Sequence, residues 1–319
     1  MKRQNFLIFL IFLLSACKEK VQYSSKTYLV MGTVLNVTLP EEDILFADSV
    51  YAIFKLIDSL MNPVREYSDI YRINSTKGYV KVHPLTYECI RKAIQVAEIT
   101  NGAFDITVGS LVHIWHFDEY GKYIFPDMDS IKKYRKLVDW RKVELGDLSV
   151  KVGDGQRITL AGIAKGFAIQ KAVEYLKSKD VTSGIIDAGG DLYLLGRKGR
   201  EKWRVGIKDP FTKGINRVIE VEEISCCTSG DYERYVEQNG KRYGHIFSPY
   251  DGFPVSNGVR SVTVIYSDAA LCDAFATAIF VMGPVGATML SKKIPGLDYM
   301  IIMDDSTTYS PGFKEYLLD

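Results

Sequence analysis

The chain has 319 residues, with 40 Lys+Arg against 39 Asp+Glu, a net charge of +1, 47% hydrophobic and 12% aromatic residues. That length suits one large domain or two smaller ones, and the composition excludes a disordered chain, which needs low hydrophobicity and high net charge. The even charge balance argues against a dedicated nucleic-acid binder, which carries a basic excess.

The amino terminus reads as a targeting segment. Lys2 and Arg3 precede the nine-residue apolar run Phe6–Leu14, far short of the about 20 residues of a spanning helix. Leu14-Ser15-Ala16-Cys17 then offers a small-residue processing site. It is similar to the lipobox of bacterial lipoproteins, in which the Cys is acylated and becomes the mature amino terminus. The expected organisation is a signal peptide over 1–16, a polar tether over 17–26 and one domain over 27–319. A lipid on Cys17 would hold the chain to a bacterial envelope membrane on its extracytoplasmic, periplasmic side; a plain secretory signal with a chance Cys is the alternative. Cys89, Cys226, Cys227 and Cys272 lack the C-x-x-C spacing of a zinc site. They read as buried thiols, with a disulfide left open in an oxidising compartment.

Downstream, Thr27–Leu39 alternates as a strand interrupted at Met31-Gly32-Thr33. Glu41–Met61 has helical apolar spacing, and Pro84–Asn101 reads as a second helix that starts on proline and stops at Gly102. Val143–Thr159 predicts a hairpin about Gly153-Asp154-Gly155. A helix over Ile163–Leu176 is followed by strands in Ser183–Leu195 and Trp203–Ile207. Arg234–Ile246 folds back at Asn239-Gly240, Val259–Tyr266 is a strand, and Ala269–Met282 is an apolar helix stopped by Gly283-Pro284. The order is mixed rather than a regular β-α-β alternation, so the fold class expected is α+β with antiparallel pairing.

Five segments look chemical. Thr159 through Gly166 runs through small residues into a helix with Lys165 in its first turn, where free amides and the helix dipole favour a phosphate; tight packing is the plainer reading. In Asp187-Ala188-Gly189-Gly190-Asp191 the paired glycines permit positive φ or a close backbone approach to a ligand; a turn between strands, with Asp191 accepting local backbone bonds, is the plainer reading. Thr228 through Tyr232 precedes His245-Ile246-Phe247-Ser248-Pro249, and a His at a strand end suits proton transfer. Asp273 and Thr277 stand four apart on one helix, so both can face one hard cation. Gly102 through Trp115 places Phe104 and Trp115 for an aromatic ligand or simply for the core. His113 and His116, three apart and able to share a helical face, read as structural.

Together and in this order, the segments resemble the FAD:protein FMN transferases, the ApbE family, from about Thr27 to Met303. The resemblance rests on Met31-Gly32-Thr33, Ser68 through Asn74, Gly102–Trp115, Gly162–Gly166, Asp187–Asp191, Thr228–Tyr232, His245–Pro254 and Asp273–Gly283. It implies a two-lobed fold of largely antiparallel or mixed sheets and packed helices, with FAD in a cleft between the lobes. It also implies Mg²⁺-dependent transfer of FMN from FAD to a Thr or Ser of an acceptor flavoprotein, with AMP released. By matching position, Met31, Ala103, Phe104, Asp105, Thr159, Lys165 and Phe247 would contact FAD. The Gly162 carbonyl, Asp273 and Thr277 would hold Mg²⁺, and His245 falls on the family's catalytically important histidine. Three positions depart from the pattern: Ser248 replaces an acid, Thr159 an Asp and Val64 an aromatic residue. An FAD pyrophosphatase and a non-catalytic FAD-binding lipoprotein are the competing readings. A nicotinamide dinucleotide site is not expected, because no G-x-G-x-x-G follows a strand.

Overall fold

Alternating apolar residues build the centre of the molecule. The computed structural model describes residues 21–117, 123–212, 214–232, 235–238 and 241–318. The strands in chain order are β1 (Tyr23–Val30), β2 (Thr33–Pro40), β3 (Val80–Lys81), β4 (Glu144–Gly146), β5 (Ser149–Lys151), β6 (Gly184–Ala188), β7 (Asp191–Leu195) and β8 (Trp203–Lys208). They continue as β9 (Ile215–Val221), β10 (Ile224–Gly230), β11 (Tyr235–Gln238), β12 (Lys241–Gly244), β13 (Val259–Tyr266), β14 (Asp298–Met303) and β15 (Thr307–Tyr309). The helices are α1 (Ala47–Met61), α2 (Asp69–Ser75), α3 (Pro84–Ile99), α4 (Gly109–Ile114), α5 (Met128–Arg135), α6 (Ala164–Lys177) and α7 (Ala269–Lys293).

Eight strands form one sheet in the order β1-β2-β6-β7-β10-β13-β14-β15. Every neighbouring pair in it is antiparallel, as the α+β expectation required. Side chains alternate between the two faces of a strand, and here both faces are used. On one, Leu35, Val37, Ile186, Leu195, Val262 and Val264 share a core with Phe54 of α1, Phe167 of α6 and Phe275 of α7. On the other, Leu194, Cys226, Ile265 and Met300 pack with Trp203, Ile207 and Ile219 of the β8–β9 hairpin. A third cluster joins Leu111, Trp115, Ile131 and Phe247.

Local chemistry explains the element ends. Val50, Phe54, Ile57 and Met61 are the buried stripe of α1, at the spacing an amphipathic helix requires. Ser68 caps α2 by accepting from Tyr71 N at 3.0 Å, and Asp268 caps α7 by accepting from Leu271 N at 2.9 Å. α7 is long and apolar enough to cross a membrane by composition, yet 61% of its most apolar window lies buried inside the fold.

Several expectations need correction. β1 begins at Tyr23, so residues 23–26 belong to the sheet and not to a tether; Cys17 and the rest of 1–20 lie outside the described residues. The hairpin within Val143–Thr159 turns at Asp147-Leu148, between the paired Gly146 and Ser149, with Leu148 at φ +41°. Gly153–Gly155 makes a later turn with no strand after it, because Gln156 turns inward to donate to the Leu137 and Asp139 carbonyls. Residues 41–46 are a 3₁₀ turn ahead of α1. Gly283 breaks helical geometry (φ +67°, ψ −172°), but a helix resumes after it as far as Lys293. His116 lies beyond α4 in the left-handed region, so it does not share a helical face with His113, although the two rings stack at 6.2 Å. Cys89, Cys226, Cys227 and Cys272 are buried and unbridged.

The packing that matters most for the site is α6 against α7. A Cβ at Gly166 would stand 2.6 Å from the Cβ of Asp273 and closer still to the Ala269 carbonyl oxygen. Gly166→Ala is therefore expected to lower stability by about 1–3 kcal/mol, the usual cost of overpacking, seen as an earlier midpoint in urea or thermal unfolding.

Candidate active site

The amino end of α6 gathers the segment singled out at 159–166. Thr159 is held by its N–H to the Ile106 carbonyl (2.8 Å), and its hydroxyl accepts from Ala161 N at 3.3 Å. Ile163, the N-cap of α6, offers no side-chain capping bond. The Asp273 carboxylate supplies one from α7, accepting the Gly166 N–H at 2.9 Å. Sequence reasoning assigned the amides of 162–165 to a phosphate; two of them are already used, since Ile163 N and Ala164 N both bond the Leu160 carbonyl (3.0 and 2.8 Å). Anion recognition here falls more on the Lys165 ammonium than on those amides.

One helical turn after Asp273, Thr277 completes the meeting point. A Cβ on Gly162 would lie 3.2 Å from the Thr277 hydroxyl and 3.2 Å from the Phe104 ring, so Gly162, Phe104 and Thr277 converge. Thr277 Oγ1 also lies 3.3 Å from Ser229 Oγ on β10. Asp273 is 4% exposed, and a carboxylate so buried in an apolar helix needs a partner. Among the described residues no three His, Cys, Asp or Glu side chains are grouped for a metal. What stands here is one carboxylate with hydroxyl and carbonyl oxygens, a donor set that suits a hard cation such as Mg²⁺.

The glycine turn at 189–190 contributes the next layer. Asp191, 1% exposed, pairs with Lys165 and accepts from Thr228 N at 3.1 Å. It therefore ties α6 to β7 and β10 in one contact. Gly189 (φ +68°) and Gly190 (φ +95°) form the two-residue turn this requires. Gly189 N donates to the Val34 carbonyl at 3.0 Å. This sets the turn beside the β1–β2 turn, where Met31 has φ +52°, a conformation that is uncommon and strained outside glycine.

The remaining expected residues are more enclosed. Ala103, Phe104, Asp105 and Phe247 are each at most 6% exposed. Phe247 is walled by Trp115 (5.8 Å) and Phe117 (5.5 Å). Asp105 caps the short turn at 106–108, accepting from Thr107 N (2.8 Å), the Thr107 hydroxyl (2.6 Å) and Trp140 N (3.1 Å). His245 is half-buried and follows β12 directly. A Cβ on the preceding Gly244 would lie 3.5 Å from the Asp231 Cβ, so β12 ends beside the residue that follows β10. Ser248, where the resemblance leads one to expect an acid, accepts from Tyr250 N at 3.3 Å and so serves a turn.

With that geometry in view, comparison with known proteins is decisive. The family model described as the ApbE family matches residues 31–301. The chain belongs to the ApbE family. It is 31% identical to the FAD:protein FMN transferase of Treponema pallidum, over 90% of this chain and 86% of that protein. It is 29% identical to the one from Vibrio cholerae, over 98% and 96%. Its fold is similar to the crystal structure of the ApbE protein from Thermotoga maritima, with a TM-score of 0.88 at 32% identity over 93% of this chain and all of that one. The flavin transferase ApbE from Vibrio cholerae gives 0.84 at 25%, with the same coverage.

Sequence reasoning missed two members of this constellation. In local sequence Asp191 is a turn residue that would bond its neighbours, and Ser229 is one residue of the Thr228–Tyr232 segment. Strand alternation carried part of the signal, because both residues turn toward the helices while Leu192 and Thr228 turn away.

Burial pushes the Asp105 carboxyl above its ordinary range, against the pull of the hydrogen bonds from Thr107 and Trp140. A carboxyl that binds its proton more tightly when folded favours folding below its unfolded pKa and loses that contribution as pH climbs through the folded value. Wild type is thus expected to gain stability relative to the non-titrating Asp105→Asn variant on acidification from neutrality into the carboxylate range, as measured by urea unfolding.

Proposed function

We propose that this chain transfers FMN from FAD to a Thr or Ser hydroxyl of an acceptor flavoprotein, releasing AMP, in a Mg²⁺-dependent reaction. The observation that carries this reading is the convergence of Gly162, Asp273 and Thr277 beside Lys165 in a member of the ApbE family. Relatives over nearly the whole chain are FAD:protein FMN transferases.

The residues divide the work by their chemistry. Gly162 carbonyl, Asp273 and Thr277 would hold Mg²⁺, whose role when bound is to neutralise charge on the diphosphate. Lys165, oriented by Asp191, adds a fixed positive charge where the leaving phosphate becomes more negative. Met31, the Ala103-Phe104-Asp105 segment, Thr159 and Phe247 are assigned to FAD. For the four enclosed residues among them, contact would come from backbone and ring edges. The acceptor hydroxyl oxygen attacks the phosphorus of the FMN half, the bond from that phosphorus to the bridging oxygen breaks, and AMP departs with that oxygen. The hydroxyl proton passes to His245. We assign the anchor to a lipid on Cys17, with the domain on the extracytoplasmic side of the envelope.

Two experiments test this. His245→Ala is expected to lower FMN transfer by about 10²–10⁴-fold, the usual contribution of a general base, with FAD binding by flavin fluorescence retained; unchanged turnover rejects His245 as the base. Asp273→Asn is expected to raise the Mg²⁺ concentration for half-maximal transfer by at least about tenfold, the smallest loss typical even of a ligand's supporting partner. Appreciable AMP and free FMN from FAD and Mg²⁺ alone, with no mass gain on an acceptor, would identify a pyrophosphatase instead.

A further inference from the structure

Of the two side chains assigned to the cation, Thr277 is the neutral one, and a hydroxyl serves an ion in one orientation only. It carries one O–H donor and two acceptor lone pairs, so an oxygen that gives a lone pair to a cation sends its proton elsewhere. In a helix that outlet is often the carbonyl three or four residues back. Here it lies on another element. Among the described residues the one hydrogen-bond partner of Thr277 Oγ1 is Ser229 Oγ on β10, 3.3 Å away, and Ser229 Oγ has no other.

Both oxygens are held in place from their far sides. A Cβ at Gly162 would stand 3.2 Å from Thr277 Oγ1 and 3.5 Å from its Cγ2, so Oγ1 has the Gly162 backbone as one neighbour and Ser229 as the other. Ser229 pairs with Val262 in the β10–β13 register. The Thr228 N–H just before it donates to Asp191 at 3.1 Å, the carboxylate paired with Lys165. Alternation along the strand sends the Thr228 side chain the other way, to the Thr263 hydroxyl (2.9 Å) and the outer groove beside β8. Ser229 thus reaches α7 from a strand pinned by the same carboxylate that pairs with the Lys165 ammonium.

We infer that Ser229 is a positioning residue for the cation site: its Oγ accepts the Thr277 O–H and so leaves a Thr277 lone pair for the ion held with Asp273. The inference rests on the metal reading proposed above and adds the side chain that orients one of its ligands. By geometry alone either hydroxyl can donate. A hydroxyl bound to a cation is the better donor, which assigns the bonding proton to Thr277. At 3.3 Å the contact is longer than the about 2.5–3.0 Å of a strong hydroxyl pair, and charge assistance shortens such bonds. Groups that orient metal ligands in this way govern affinity without touching the ion.

The test titrates the purified protein with Mn²⁺, which favours the same oxygen ligands as Mg²⁺. Free ion is followed by electron paramagnetic resonance, with FAD present and an FAD-only blank subtracted. Ser229→Ala is expected to weaken Mn²⁺ binding by about 10–100-fold, the usual loss when a ligand's supporting partner is removed. Added to Thr277→Ala, the same change is expected to cost nothing more, because the ligand it orients is gone. With EDTA in place of the ion, the Ser229→Ala protein is expected to bind FAD as wild type does, read by flavin fluorescence. A packing role or a direct FAD contact would not give that result. Mn²⁺ affinity unchanged in Ser229→Ala but weakened in Asp273→Asn overturns the Ser229 assignment and leaves the metal reading standing. A loss of FAD affinity in EDTA, or a further loss of Mn²⁺ affinity on top of Thr277→Ala, also overturns it. Unchanged Mn²⁺ affinity in both Ser229→Ala and Asp273→Asn overturns the metal reading together with this inference.

Discussion

Because residue 166 has no side chain, α6 and α7 cross closely enough for the Gly166 amide to reach the Asp273 carboxylate. That single hydrogen bond does two jobs. It caps a helix that has no cap of its own, and it gives a buried carboxylate the partner its burial demands. With the crossing held there, Thr277 falls beside Gly162 and Ser229, and the oxygen cluster assigned to Mg²⁺ follows from the helical period alone.

Around that crossing, the antiparallel sheet separates its two faces by side-chain parity. On β7 and β10, Asp191 and Ser229 turn toward the helices, whereas Leu192 and Thr228 turn toward the outer groove. Adjacent residues thus serve opposite faces of one sheet. The tight turns at Met31-Gly32 and Gly189-Gly190, all four residues at positive φ, end β1 and β6 side by side there.

Much of this was legible before the fold was known. The i, i+4 spacing of Asp273 and Thr277, the small residues before Lys165 and the paired glycines before Asp191 each carry their chemistry in local sequence. Other features were misread for physical reasons. Gly153-Asp154-Gly155 has the composition of a hairpin turn, but Gln156 turns inward to satisfy the Leu137 and Asp139 carbonyls, and the hairpin formed at Asp147-Leu148 instead. Tyr23–Lys26 looked like tether because its polar residues alternate on an edge strand with one wet face. The amides ahead of Lys165 looked free because nothing local reveals that the Leu160 carbonyl takes two of them.

By itself, then, the sequence determined the element types, the antiparallel α+β class, the family and the identity of the oxygen and ammonium groups, since these depend on periodicity, turn chemistry and short spacings. Only the tertiary structure decided that Asp191 pairs with Lys165, that Asp273 caps α6, and that Thr277 meets Ser229 of β10. Each of those joins residues tens of positions apart, and such contacts are made by packing two layers together, which no local pattern encodes.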